Sequence, residues 1–398
     1  MELCHMTRHL PSFCLLLAFS FVIWPASAQL PPSESLTDSD WTALRSLIAQ
    51  NERLLSSAPD KATVTYEMAR TWAAGKQWSE TMQWLRKVVE LKVGLDPSRD
   101  AIFADLRSTH EFESIAAAVR AVTPPVSHSS SAFRIKEGDL VPESVAYDPR
   151  GKQFYFGSMR KGKVIRCSAS EDCTQFATGL GVVLGLKIHG DGLWLLNNSD
   201  KESTLIHYHV GSRREVSRYK LTGAGHTFND LTIGPSGEVY LTDTPAGAVW
   251  YLVNGSTDLA RLPGRFEFAN GITLSPDAKL LYVSTFPDGM IIVDLKTQKA
   301  HPIVHPTNLC LATIDGLYFY HGSLIAIQNA FMTPRVVRFT LTRDLLAIQR
   351  FEVLERRNPI FEGITTGVIV GRDFFYMANI QDDKKAGFDP ITILKLRL

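Results

Sequence analysis

The amino-acid sequence predicts a mainly β chain: a six-bladed β-propeller preceded by a small α-helical domain. Three observations carry this. A unit made of a turn and a short apolar strand recurs six times after residue 132. Ahead of it the hydrophobic period is helical, and a stretch rich in Pro and Ser with no period separates the two parts. With 398 residues and 45% hydrophobic content, the chain has the length and the apolar side chains for two such units.

The N-terminus is organised as an export signal. Arg8 and His9 precede the apolar run "FCLLLAFSFVIW", followed by Pro25 and the small-residue exit "ASA" before Gln29. The run is too short to span a bilayer. Residues 1–28 are therefore set apart as a signal peptide, no membrane span is expected, and the expected location is periplasmic or extracellular. Residues 36–122 form the helical domain. In "KATVTYEMARTWAAGKQWSETMQWLRKVVEL" Met68, Ala69 and Trp72 share one helical face, Trp78, Met82, Leu85 and Val89 share the next, and Gly75 marks the turn. "TPPVSHSSSA", residues 123–132, has the composition of a linker and is the expected site of first proteolysis. Residues 133–398 form the propeller.

Its units are "DPRGKQFYFGS", "HGDGLWLLNNS", "GPSGEVYLTDT", "SPDAKLLYVST", "FYHGSLIAIQN" and "IVGRDFFYMAN". Aligned on Tyr155, Trp194, Tyr240, Tyr282, Ile325 and Phe375, they recur at 39 to 50 residues, the spacing of four-stranded propeller blades. A third strand follows each copy, from "KVIRC" to "TILKLRL". The chain ends inside a blade at Leu398, so a strand within "AFRIKEG", Ala132 to Gly138, is expected to close the ring.

Ten to thirteen residues before each aligned position, the innermost strand begins at Glu143, Leu184, Asn229, Asn270, Asp315 and Glu362. In "FEFANGITLSP" an apolar strand thus opens on a bare amide, Asn270. Turn or cap chemistry accounts for any one of these residues taken alone. A shared phase in a closed propeller instead makes them converge on the central channel. Two amides and three carboxylates, without His or Cys, are hard oxygen donors that suit Ca²⁺ or Mg²⁺ better than a thiophilic metal. Without a cation the carboxylates repel one another.

The segments "VPESVAYDPRGKQFYFGS", "FNDLTIGPSGEVYLTDT", "FANGITLSPDAKLLYVST" and "IDGLYFYHGSLIAIQN" resemble the senescence-marker-protein-30/gluconolactonase/luciferin-regenerating-enzyme group of six-bladed propellers, from about Val141 to Leu398. The resemblance implies a catalytic divalent cation, Ca²⁺ first, with Mg²⁺, Mn²⁺ or Zn²⁺ as alternatives. It implies Glu143, Asn270 and Asp315 as the metal ligands, Asn229 beside them as a contact to substrate or metal, and Asp315 also as the general base of lactone or ester hydrolysis. Members often carry Arg two residues before the Asn of the third-blade motif, gripping a sugar-acid oxygen. Here "HTFND" has Thr227 in that place, and His226 is either a replacement donor or a structural histidine. Glu362 lies outside the family motif and ranks lower, as a second acid at the rim. The helical hairpin resembles a tetratricopeptide unit, with Thr81 where Ala is usual. It is either a docking surface for a protein partner or a small packing domain.

Loss of the signal leaves Cys167, Cys173 and Cys310. In "VIRCSASEDCTQFA" the first two flank a polar turn, and they either close a disulfide across a hairpin or remain as buried thiols. The formal charge of +1 gives no basis for nucleic acid or an anionic membrane as partner. No G-x-S-x-G nucleophile elbow is present. Two functional readings remain: a metal-dependent hydrolase of a small-molecule lactone or ester, or a non-catalytic propeller that binds a ligand or protein.

Overall fold

The structure, a computed structural model, describes residues 30, 33, 35–58, 60–380 and 387–398. The predicted signal segment, residues 1–28, lies outside the described residues. No helix among the described residues is long and apolar enough to cross a membrane.

Four helices come first: α1 (Asp38–Ser57), α2 (Lys61–Ala74), α3 (Trp78–Leu91) and α4 (His110–Val122). Their ends follow from local chemistry. Thr37 and Asp40 form a reciprocal capping box on α1, Asp60 caps α2 through the Thr63 amide, and Thr109 caps α4 through Phe112. Helices α2 and α3 are joined by the tight turn at Gly75–Gln77, where an added Cβ on Gly75 would lie 2.8 Å from Leu44. The buried faces hold Met68, Ala69, Trp78, Met82 and Leu85, as the period predicts, while Val88 is buried more completely than Val89.

Six four-stranded antiparallel sheets follow. Blade 1 runs from Val145 to Thr178, blade 2 from Val182 to Thr222, blade 3 from Phe228 to Arg261, blade 4 from Ile272 to Pro302 and blade 5 from Ile314 to Arg356. Blade 6 has inner strands Gly367–Val370, Asp373–Met377 and Ile391–Arg397, and its outer strand is Ser130–Ile135 from the beginning of the propeller. That strand closes the ring as expected, two residues earlier than the sequence places it. The innermost strands touch in the cycle 1-2-3-4-5-6-1, so apolar clusters between neighbouring sheets form the core.

The segment 123–132 is not a free linker. Val126 and Arg356 exchange both backbone hydrogen bonds, at 2.9 and 2.8 Å. Glu355, fully buried, accepts from the amides of His128 and Ser129, from the Ser129 hydroxyl and from Asn358. Composition signalled mobility, but a buried carboxylate 226 residues away collects the free amides. The helical region is likewise no separate body. Tyr66, Trp78, Leu85 and Phe103 share one apolar cluster with Cys310, Ala312, Phe331 and Met332 of the propeller.

The outer hairpin of blade 1 pairs Cys167 with Cys173, and their sulfurs are joined. Cys310 is free and buried. Non-reducing peptide mapping should recover the linked pair, and replacing both with Ser should lower the unfolding free energy by about 2 kcal/mol. Two alkylatable thiols there would contradict the assignment. Limited proteolysis should spare residues 123–132. Glu355→Ala strands several donors at a cost of roughly 3 kcal/mol and should make that segment a cleavage site; equal protection in wild type and variant would contradict the anchoring role.

Candidate functional site

Strand register defines the ring of channel-facing positions. Ala146, Lys187, Thr232, Thr273, Tyr318 and Val368 pair with the six aligned second-strand residues. Three residues ahead of each stand Glu143, Leu184, Asn229, Asn270, Asp315 and Thr365. Five of these are the positions that the repeat phase predicts. The sixth is a correction: Thr365 occupies the ring, and Glu362 lies three residues upstream and is exposed.

At three of these positions, Leu184–Gly185, Asn229–Asp230 and Asp315–Gly316, the ladder contains a β-bulge. A bulge re-aims side chains and locally ends pairing, as is common beside functional sites. Except at Asp230, the residue after each ring position is Gly, Ser or Thr, where the neighbouring blade approaches closely. An added Cβ would lie 2.9 Å from the Asn229 carbonyl at Gly185 and 2.4 Å from the Asp315 carbonyl at Gly271. Where a hydroxyl replaces Gly, it donates to that same carbonyl: Ser144 to Leu184, and Thr366 to Glu143 at 2.6 Å.

Asp315 is the most elaborately held member. It is 2% exposed, accepts from Asn329 Nδ2 at 2.6 Å, and has the Asn270 side chain close enough to favour its charged form. Burial pushes its carboxyl up to about 7; the two amides pull it down, and the charge of Asp230 pushes it up. Asn329 also donates to the Ile364 carbonyl at 2.8 Å, tying Asp315 to the backbone next to Thr365. The helical region braces both flanks. Asp60 Oδ2 accepts the Leu311 amide at 2.7 Å, and Arg99 Nε donates to the Ala330 carbonyl at 2.9 Å.

Glu143 is 5% exposed and Thr365 4%. The Asn270 Oδ1 and Thr365 Oγ1 atoms are both buried without a hydrogen-bond partner. Orphaned buried oxygens in phase with two buried carboxylates form a donor set that fits a hard cation, since ligation would satisfy atoms that otherwise bear a desolvation cost. Among the described residues no cluster of three or more His, Cys, Asp or Glu has metal-binding geometry. The candidate set accordingly mixes two carboxylates, Glu143 and Asp315, with an amide.

Backbone strain marks the same three blades. Two residues ahead of Glu143, Asn270 and Asp315, the non-glycine residues Val141, Phe268 and Thr313 have φ of 45°, 47° and 57°. The equivalent Val182, Thr227 and Gly363 do not have positive φ. Left-handed backbone is costly for β-branched Val and Thr, roughly 1–3 kcal/mol each, and persists where its surroundings fix it.

Asn229 donates to Thr244 at 3.0 Å and remains partly exposed. His226 is held at 2.6 Å by the buried carboxylate of Asp243, which also accepts from Trp250. Asp230 is a residue that sequence reasoning missed. It is a buried carboxylate 3.7 Å from Lys187 Nζ, shifted upward by burial and restrained by that lysine. Its signal in the sequence was its place beside Asn229, where the other blades carry Ser, Gly or Thr. Three residues farther along the innermost strands, a cavity of about 210 Å³ is lined by residues that include Lys187, Thr232, Thr273 and Tyr318.

The family signature for the SMP-30/Gluconolactonase/LRE-like region matches residues 141–340. No curated protein matches the chain. Among solved structures the chain is similar to a calcium-binding protein, regucalcin, of Agrobacterium tumefaciens, with 16% identity over 67% of this chain and 93% of that one and a TM-score of 0.52. It is similar to the major Malassezia sympodialis allergen Mala s 1, with 13% identity over 66% and 95% and a TM-score of 0.52. It is also similar to the PQQ-bound aldose sugar dehydrogenase of Streptomyces coelicolor, with 14% identity over 69% and 100% and a TM-score of 0.50. At these identities the likeness is one of fold, and the three proteins differ in what they do.

Thr365→Val replaces an unpartnered buried hydroxyl with a methyl of the same shape. Unfolding free energy should stay level or rise by about 1 kcal/mol, while affinity for Ca²⁺ or a substrate analogue falls; a loss of stability instead would make Thr365 a structural residue.

Proposed function

Because the chain belongs to the SMP-30/gluconolactonase/LRE-like family, we propose that it is an exported, metal-dependent hydrolase of a lactone or ester, working at the ring of Glu143, Asn229, Asn270, Asp315 and Thr365. The observation that carries this reading is the Asn270 side chain. It favours the charged form of the neighbouring Asp315 carboxyl, and its buried oxygen has no hydrogen-bond partner. Such an arrangement presents an oxygen donor to a ligand while orienting the neighbouring carboxylate. The strained backbone ahead of Glu143, Asn270 and Asp315 supports it, and the Cys167–Cys173 bridge supports an oxidising, exported setting.

In this reading Glu143, Asn270 Oδ1 and Asp315 hold the cation, with Ca²⁺ the favoured ion for an all-oxygen set. A bound divalent cation supplies Lewis-acid polarisation of a carbonyl and offsets the negative charge that develops on its oxygen. Asp315 takes a proton from the attacking water and returns it to the leaving oxygen, a role that suits a carboxyl raised by burial toward neutral pH. Asn229, partly exposed in the ring, orients the substrate by its amide. Asn329 and the helical region keep Asp315 in place, which gives the helical region a positioning role on this face.

A panel of lactones and aryl esters, assayed with Ca²⁺ and after chelation, tests the reading. Turnover should disappear with chelator and return with the metal. Asp315→Ala should abolish both cation affinity and turnover, and Asn229→Ala should reduce turnover more than cation affinity. Unchanged turnover in chelator, or full activity in Asp315→Ala, would overturn it.

A further inference from the structure

Around the axis the ring is chemically lopsided. Its polar members are Glu143, Asn229, Asn270, Asp315 and Thr365, and the blade 2 position is the hydrocarbon Leu184. The order of innermost strands puts blade 2 diametrically opposite blade 5, so Leu184 faces Asp315 across the channel. Its backbone is fixed, since Ser144 donates to its carbonyl and the following Gly185 packs against the Asn229 carbonyl. Leu184 therefore cannot turn its side chain away by a small backbone shift.

The layer two residues farther out continues the pattern. Val182 is 38% exposed and Phe268 is 48% exposed. No position of this layer or of the ring carries Lys or Arg. Of the two hydroxyls in this layer, that of Thr313 is committed to the Asn329 carbonyl at 2.9 Å, and that of half-buried Thr227, on blade 3 between Val182 and Phe268, is the one polar group in the wall. Phe268 is backed by rings that lead into the helical region: its edge meets Phe286 at 6.3 Å, Phe286 meets Phe331 at 5.6 Å, and Phe331 stacks on Tyr66 at 4.7 Å. The wall beside Asn270 is thus apolar and supported from behind.

We propose that Leu184, Val182 and Phe268 form a subsite for the apolar tail of the substrate, and that the preferred substrates are alkyl- or aryl-substituted lactones or esters rather than sugar lactones. This deepens the hydrolase reading of the same ring and rests on it. A carbonyl directed toward Asp315 leaves the rest of the molecule against Leu184. There an alkyl or aryl group loses only water, whereas each sugar hydroxyl loses hydrogen bonds to water that these side chains cannot replace. Each methylene placed against the wall should raise affinity about fourfold.

Calorimetric binding of non-hydrolysable γ-lactams with tails of increasing length to the full chain tests the subsite without turnover. Affinity should climb about fourfold per methylene, and polyhydroxylated lactams should bind more weakly than alkyl ones. Leu184→Gln should flatten the climb. Because Leu184 is buried, Phe268→Ser and Val182→Gln, at exposed positions, give the same test with less risk to folding. A flat lactam series, or tighter binding of the polyhydroxylated compounds, overturns the subsite whatever the turnover. A rising series in a protein that hydrolyses no lactone or ester retains the subsite and removes the hydrolase reading instead.

Discussion

The structure depends on a closed relay of contacts at the ring carbonyls. Blade 1 donates to blade 2 through Ser144, blade 3 to blade 4 through Thr242 at 2.8 Å, and blade 6 back to blade 1 through Thr366. Between blades 2 and 3, 4 and 5, and 5 and 6, glycines let the next carbonyl come within contact of the backbone. A propeller has no long helix or continuous sheet to bind its blades, so each junction must satisfy its own backbone groups. The same relay that holds the blades together fixes the backbone carrying Glu143, Asn270 and Asp315. Stability and site geometry are therefore a single constraint.

That constraint explains where cost is tolerated. Buried carboxylates at Asp315 and Asp230, partnerless oxygens on Asn270 and Thr365, and left-handed Val141, Phe268 and Thr313 all occur at the ring or within two residues of it. Two buried charges away from the channel are well satisfied. Glu355 is surrounded by donors, and Arg335, fully buried, donates to Gln328 and to the Val93 and Cys310 carbonyls. Buried oxygens without a partner also occur elsewhere, at Glu238, Thr285 and Thr333; what sets the ring apart is that Asn270 and Thr365 share one phase with the buried carboxylates Glu143 and Asp315.

Much of this was legible in the sequence because propeller periodicity is local. The six strands, the closing strand and five ring positions follow from turns and β-branched alternation at a steady interval. Glu362 was read into the ring because Glu-Gly mimics the Asn-Gly and Asp-Gly of neighbouring blades. Only pairing shows that the sixth inner strand starts later and that Thr365 is in phase. Asp230 was hidden because bulges decide which of two adjacent polar residues enters the channel, and a bulge leaves no mark in the period. The firm attachment of residues 123–132 and the shared core of helices and propeller rest on contacts more than two hundred residues apart. Pro and Ser content or a helical period carries no information about such partners.

The central claim is that residues far apart in the chain converge on one cation at the channel axis. A crystal structure of the full chain grown with Ca²⁺, with the ion located by its anomalous scattering, tests this most directly. The account predicts a single ion on the axis, with oxygens of Glu143, Asn270 and Asp315 at about 2.3 to 2.6 Å. An ion bound elsewhere, or side chains of these three residues turned away from a common point at saturating Ca²⁺, would contradict it.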